Sequence, residues 1–131
     1  MAIALSERAL SPARPLVRAA GLVAVPSQPL VLEAIAPFRL QIELFERLAT
    51  LVTSIETACP GLLLVDSELA GDFRDLRAFA RSLRPDVRIV ALSCYWSDRE
   101  ESLRLYADAV LHKPPRASEW ASVLGAYAGF I

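Results

Sequence analysis

Five short apolar stretches punctuate the chain, at residues 3–5, 22–25, 62–65, 87–92 and 109–111, and amphipathic segments separate most of them. The clearest, Leu62-Leu63-Leu64-Val65, is apolar without alternation and stops at Asp66, which predicts a strand covered on both faces, as in a parallel sheet. Residues 87–92 repeat this pattern and stop at Ser93, and residues 109–111 run into His112-Lys113-Pro114-Pro115. In residues 72–83, Phe73, Leu76, Phe79, Ala80 and Leu83 share one stripe and Arg74, Asp75, Arg77 and Arg81 another. That spacing predicts a helix, which Arg84-Pro85-Asp86 ends. Residues 97–106 predict a further helix, with Ser97 as N-cap and Glu100 and Glu101 in its first turn, and residues 118–127 predict the last.

The first half is less regular. Residues 3–5 read as a strand and residues 12–20 as a helix closed by Gly21, with residues 22–25 a second strand before the turn signal Pro26-Ser27-Gln28-Pro29. Residues 30–36 fit strand or helix equally. In residues 38–58, Phe38, Ile42, Phe45, Ala49, Val52 and Ile55 recur at spacings of three and four, which predicts one long amphipathic helix ended by Cys59-Pro60-Gly61. Alternation of strands and helices predicts an α/β fold: a doubly wound, five-stranded parallel sheet forming a single domain over residues 1–131, with ligands at the carboxyl ends of its strands.

Composition narrows the function classes. Of 131 residues, 54% are hydrophobic and 22% charged, which fits a packed core and excludes a disordered or fibrous chain. A formal net charge of −1 lacks the basic excess that neutralises phosphates, so no direct nucleic-acid binding is expected. No apolar run approaches the ~20 residues that cross a bilayer, and no basic region precedes the first apolar stretch, so neither a membrane span nor a secretory leader is expected and the cytoplasm is the expected compartment. Cys59 and Cys94 lack the spacing of a disulfide framework or a zinc site and read as buried core thiols.

Candidate chemistry lies at the strand ends. Asp66, Ser93 and Lys113 each terminate or directly follow one of three successive apolar strands, and in a parallel sheet these ends open on one edge. A carboxylate can take up a phosphoryl group, an ammonium can compensate its charge, and a hydroxyl can donate to its oxygens. Through PGLLLVD, IVALS and above all LHKPP, residues 60–127 resemble the receiver domains of two-component response regulators. The resemblance implies a flavodoxin-like receiver architecture, with Asp66 as phosphoacceptor, Ser93 as the responding hydroxyl, Lys113 as the cationic partner and a cis bond between Lys113 and Pro114. It also implies a histidine kinase, phosphotransfer protein or other signalling protein as partner.

Receivers carry a magnesium-binding acidic pair after their first strand, since a hard cation requires oxygen ligands. If residues 2–5 are that strand, Ser6 and Glu7 occupy the pair's positions, and Glu7 and Asp66 are the candidate ligands. If residues 21–25 are that strand, Pro26 and Ser27 bring no acid. The first register is preferred because it leaves residues 38–58 free to be a helix. Either way the resemblance implies a magnesium site that is weak or absent. Ala70 stands where the family usually has proline, and Val110 where an aromatic switch residue is expected. These departures describe an atypical, phosphorylation-independent pseudo-receiver that acts as a protein-interaction switch and not as an enzyme.

Plainer roles compete. Asp66 can cap the following turn, Ser93 can simply close a strand, Glu7 can be a solvated helix residue, and His112 reads as a strand or surface residue. Tyr95, Trp96, Tyr106, Trp120 and Tyr127 cluster around the last two helices. Leu103, Tyr106, Val110 and Trp120 are the candidate homodimer face, since receivers commonly associate there and aromatic enrichment marks interfaces. Alternative functions are a haloacid-dehalogenase-like phosphatase, which typically needs an aspartate where Glu68 stands, and a structural assembly domain with a relict pocket.

Overall fold

A computed structural model of the chain describes residues 16–94 and 100–131. Its elements run β1 (Val17–Leu22), a 3-10 turn (Val25–Ser27), α1 (Gln28–Ile35), β2 (Leu40–Phe45), α2 (Leu48–Thr57), β3 (Leu62–Asp66), α3 (Phe73–Leu83), β4 (Arg88–Ser93), α4 (Glu100–Tyr106), β5 (Ala109–His112) and α5 (Ala117–Tyr127). All strand pairs are parallel and the order across the sheet is β2-β1-β3-β4-β5. This is the flavodoxin-like doubly wound sheet that the sequence predicts, with the order reversing at β1 and β3, where a crevice forms at the strand ends.

The second half follows the predicted pattern because its signals are strong. Every residue of β3 is buried, as a central strand with helices on both faces requires. Asp72 caps α3 by accepting from the amides of Arg74 (2.9 Å) and Asp75 (3.3 Å). The N-cap expected at Ser97 lies outside the described residues.

The first half differs from expectation in three places. Residues 17–20, expected to be helical, are strand: β1 is Val-Arg-Ala-Ala-Gly-Leu, flanked by β2 and β3. Its middle is small because neighbours crowd it. A methyl group placed on Gly21 would lie 2.6 Å from Leu44 Cδ2 and 3.3 Å from the Leu64 carbonyl oxygen, so Gly21 permits close strand packing and closes no helix. Residues 22–25 are then no separate strand, since Leu22 ends β1 and Val25 opens the 3-10 turn. The expected long helix over residues 38–58 is instead β2 followed by α2. Leu40, Ile42 and Leu44 alternate with Gln41 and Glu43 at the period of a strand; of the residues at helical spacing, Ile42 and Phe45 fall in β2, and Ala49, Val52 and Ile55 belong to α2. The ambiguous residues 30–36 fall mainly in α1, which ends at Ile35.

Two cores result. Leu63, Val65, Ile89 and Ala91 face one side of the sheet and pack with Leu51 and Ile55 of α2, Phe73 and Leu76 of α3 and Leu103 of α4. Leu62, Leu64, Val90 and Leu92 face the other side and pack with Val31 and Ile35 of α1 and Trp120 and Leu124 of α5.

Candidate functional site

The carboxyl edge of the sheet gathers the expected residues by simple register. Val65 of β3 pairs with Ala91 and Asp66 with Leu92, while Ser93 of β4 pairs with His112 of β5. Asp66, Ser93 and Lys113 therefore stand on neighbouring strand ends. Two backbone bonds tie these ends together: the Ser67 amide donates to the Leu92 carbonyl (2.9 Å) and the Lys113 amide to the Ser93 carbonyl (2.8 Å).

Asp66 is buried although ionisable, and its two oxygens have separate partners. Oδ1 accepts from the Glu68 amide at 3.0 Å, closing an Asx-type turn, and Oδ2 accepts from Lys113 Nζ at 2.9 Å. The capping role and the Lys113 pairing thus coexist on one carboxylate. Burial pushes the Lys113 ammonium pKa down, but its hydrogen bond with Asp66 and the negative charges nearby outweigh that and leave the pKa above its ordinary value. The bond between Lys113 and Pro114 is cis, as the resemblance implies. Ser93 is fully buried, and its hydroxyl donates to the Cys94 carbonyl at 3.1 Å.

Glu68 and Cys94 join this edge without having been singled out. Glu68 Oε2 lies 3.7 Å from Lys113 Nζ, and its Oε1 accepts from the Cys94 thiol at 3.2 Å. That hydrogen bond, then burial, pushes the Cys94 thiol pKa up. Neither cysteine is fully buried as expected; both are intermediate in exposure. The available sequence signal was the position of Glu68, two residues beyond a strand-end aspartate, but loop direction decides whether such a residue turns back.

The metal expectation changes with the register. Glu7 lies outside the described residues. The strand that reaches the Asp66 edge is β1, which continues into the buried Val23 and then Ala24, so an acidic pair is lacking there. Glu68 is 65% exposed, and one Asp66 oxygen is already held by an ammonium. Among the described residues no group of three or more His, Cys, Asp or Glu could hold a metal ion. This donor set does not fit the near-octahedral oxygen shell of magnesium.

The candidate dimer face also needs correction. Leu103 is 1% exposed and Trp120 5%, and each packs into a core on its own side of the sheet. Of the four, Tyr106 and Val110 keep partial exposure. His112 is the last residue of β5, in line with its reading as a strand residue.

The strand order, the parallel register and the Asp66–Lys113 pair at the sheet edge place the chain in the receiver class of α/β folds. No family profile matches the sequence, and no curated protein matches it. Solved structures do match. The receiver domain of sensor histidine kinase PA1611 from Pseudomonas aeruginosa, solved with magnesium in its active-site cleft, superposes with a TM-score of 0.71 at 20% identity, over 86% of this chain and 97% of that one. The receiver domain of AraT, a response regulator from Geobacillus stearothermophilus, gives 0.71 at 19% identity, over 85% and 92%. The receiver domain of Ssk1 from Saccharomyces cerevisiae, solved with the histidine phosphotransfer protein Ypd1, gives 0.70 at 16% identity, over 86% and 89%. The chain therefore has the receiver fold. Among its described residues no helix is long and apolar enough to cross a membrane.

Proposed function

We propose that the chain is an atypical receiver of phosphorelay signalling, a protein-interaction switch that works without phosphorylation of Asp66. The observation that carries this reading is the state of the pocket: Asp66 is buried and held by Lys113, while the adjoining end of β1 offers Val23 and Ala24 in place of acids. Phosphoryl transfer to a carboxylate builds negative charge that a divalent cation ordinarily offsets, and a lone lysine already bound to the acceptor cannot replace that ion. Without turnover chemistry the output is a change of partner, and the fold favours a histidine kinase, a phosphotransfer protein or another signalling protein. Its site of action is then the cytoplasm. A homodimer through the last two helices would use Tyr106 and Val110 together with the exposed Leu105, because Leu103 and Trp120 are committed to the cores.

The test is to titrate the protein with beryllofluoride, and separately with acetyl phosphate, in magnesium buffer while following tryptophan fluorescence; Trp120 lines the cavity that reaches Asp66. No saturable change is expected. A saturable change that disappears in Asp66→Asn would overturn the phosphorylation-independent reading and leave an ordinary receiver, whereas phosphate release from a generic ester would move the chain to the phosphatase class.

A further inference from the structure

Strand β2 forms one edge of the sheet. Its inner side pairs with β1, and among the described residues no strand pairs with its outer side. The ladder to β1 fixes which backbone groups face outward. The Val17 amide donates to the Arg39 carbonyl at 2.9 Å and the Val23 amide to the Phe45 carbonyl at 2.8 Å. Bonding alternates along a parallel ladder, so the odd-numbered residues of β2 face β1, whereas Leu40, Ile42 and Leu44 turn their N–H and C=O groups outward. The Leu40 amide is taken by the Phe38 carbonyl at 2.8 Å. The outer side therefore offers the amides of Ile42 and Leu44 as donors and the carbonyls of Leu40, Ile42 and Leu44 as acceptors.

Little blunts this edge. Edge strands are commonly protected by lysine, proline or a bulge, but the register of β2 runs unbroken from Leu40 to Phe45 and its single charge is Glu43. Leu40, Ile42 and Leu44 are only half-buried on the face that α1 covers. On the other face Gln41 and Glu43 are exposed, and a cavity of about 460 Å³ opens between Glu43 and Phe45 and the α2 residues Thr50, Thr53 and Thr57. The flanking helices thus stand back from the strand on both faces.

The partner that fits is a second copy, because β2 complements itself when two copies run antiparallel about a two-fold axis at Ile42. Ile42 then faces Ile42 of the second copy, Leu40 faces Leu44, and Gln41 faces Glu43. In this register the pairs that exchange hydrogen bonds are those of the outward-facing residues. The two Ile42 residues bond each other reciprocally, and each Leu44 amide donates to the Leu40 carbonyl across the axis, so every available amide meets an acceptor. Apolar side chains meet apolar ones on one face, and a carboxamide meets a carboxylate on the other, with no like charges opposed. Neighbouring registers fit less well: sliding two residues one way sets Glu43 against Glu43, and two residues the other way leaves Leu44 opposite Phe38, outside the strand.

We propose that β2 is a homodimer interface, at which antiparallel β2–β2 pairing joins the sheets of two copies into one. The interface is separate from the last two helices and independent of whether Asp66 is phosphorylated. Sedimentation equilibrium of the full chain from micromolar to millimolar concentration should show a reversible monomer–dimer equilibrium. Gln41→Glu suits the fold, since residue 41 is exposed and stands in register with Arg18. It opposes carboxylates twice per dimer and should weaken association roughly tenfold at low salt. Adding Glu43→Lys should restore it. Over the same concentration range, hydrogen exchange at the Ile42 and Leu44 amides should slow severalfold in the wild type, while exchange at Gln41 and Glu43, whose amides face β1, changes little. A chain still monomeric at millimolar concentration would overturn the proposal. So would a dimer indifferent to the charge at residue 41 or not restored by Glu43→Lys, which assigns association to another face. Ile42 and Leu44 amides equally protected at every concentration would also overturn it, because their partners would then lie within one chain.

Discussion

The Asp66 side chain keeps 8% of its exposure and that of Lys113 keeps 27%, so the two have unequal stakes in their ion pair. Removing the lysine strands a buried charge; removing the charge of the acid frees a lysine that can turn to water. Lys113→Met should therefore destabilise the fold by about 1–3 kcal/mol, the cost of a buried acceptor left unsatisfied. Asp66→Asn, which can still accept the Glu68 amide on its side-chain oxygen, should cost less than about 1 kcal/mol. Urea unfolding of both variants at neutral pH checks the order, and the reverse order would show that burial does not anchor the pair. The same contact sets an alkaline limit. Because the folded-state pKa of Lys113 lies above its ordinary 10.5, its stabilising contribution is complete below that value and is lost as pH rises through the folded-state pKa. The stability gap between wild type and Lys113→Met should accordingly narrow above about pH 10.5, as measured by unfolding midpoints across the alkaline range.

Among the elements, β1 has the tightest surroundings and the weakest sequence signal, for a single reason. Flanked by two strands and covered on both faces, its centre takes Ala19, Ala20 and Gly21, and small residues give little apolar periodicity to read. Gly21→Ala should destabilise by about 1–3 kcal/mol through overpacking, because Leu44 can yield but the Leu64 carbonyl cannot; a thermal midpoint equal to wild type would contradict that crowding. By contrast, β3, β4 and α3 were legible, since continuous apolar runs and a capped amphipathic stripe leave few alternatives. The edge strand β2 was hidden because its apolar residues also satisfy a helical period, and the Glu46-Arg47 break before α2 is weak. The candidate site divides likewise. Asp66 and Lys113 followed from strand ends alone, whereas Glu68 and Cys94 depend on how two loops turn, and the choice of first strand inherited the weakness of β1.

At the scale of the whole molecule, a ligand that binds the folded state and not the unfolded one raises global stability, so thermal unfolding reports whether the sheet edge accepts a cation. The wild-type edge presents Asp66, already neutralised by Lys113, and the exposed Glu68. Millimolar magnesium should therefore leave the unfolding temperature unchanged. The fold itself imposes no such limit, because β1 reaches the same edge: Leu22 pairs with Val65, and the chain then continues into Val23, which lines the same cavity as Asp66, and the partly exposed Ala24. Ala24→Asp adds a carboxylate there without burying it fully, and at ten times the dissociation constant magnesium would then contribute about 1.4 kcal/mol. The variant should unfold several degrees higher with magnesium than with EDTA. A magnesium-dependent shift in the wild-type chain would mean that a ligand such as Glu7 completes the site, whereas no shift in Ala24→Asp would mean that the ammonium of Lys113 holds Asp66 against the ion.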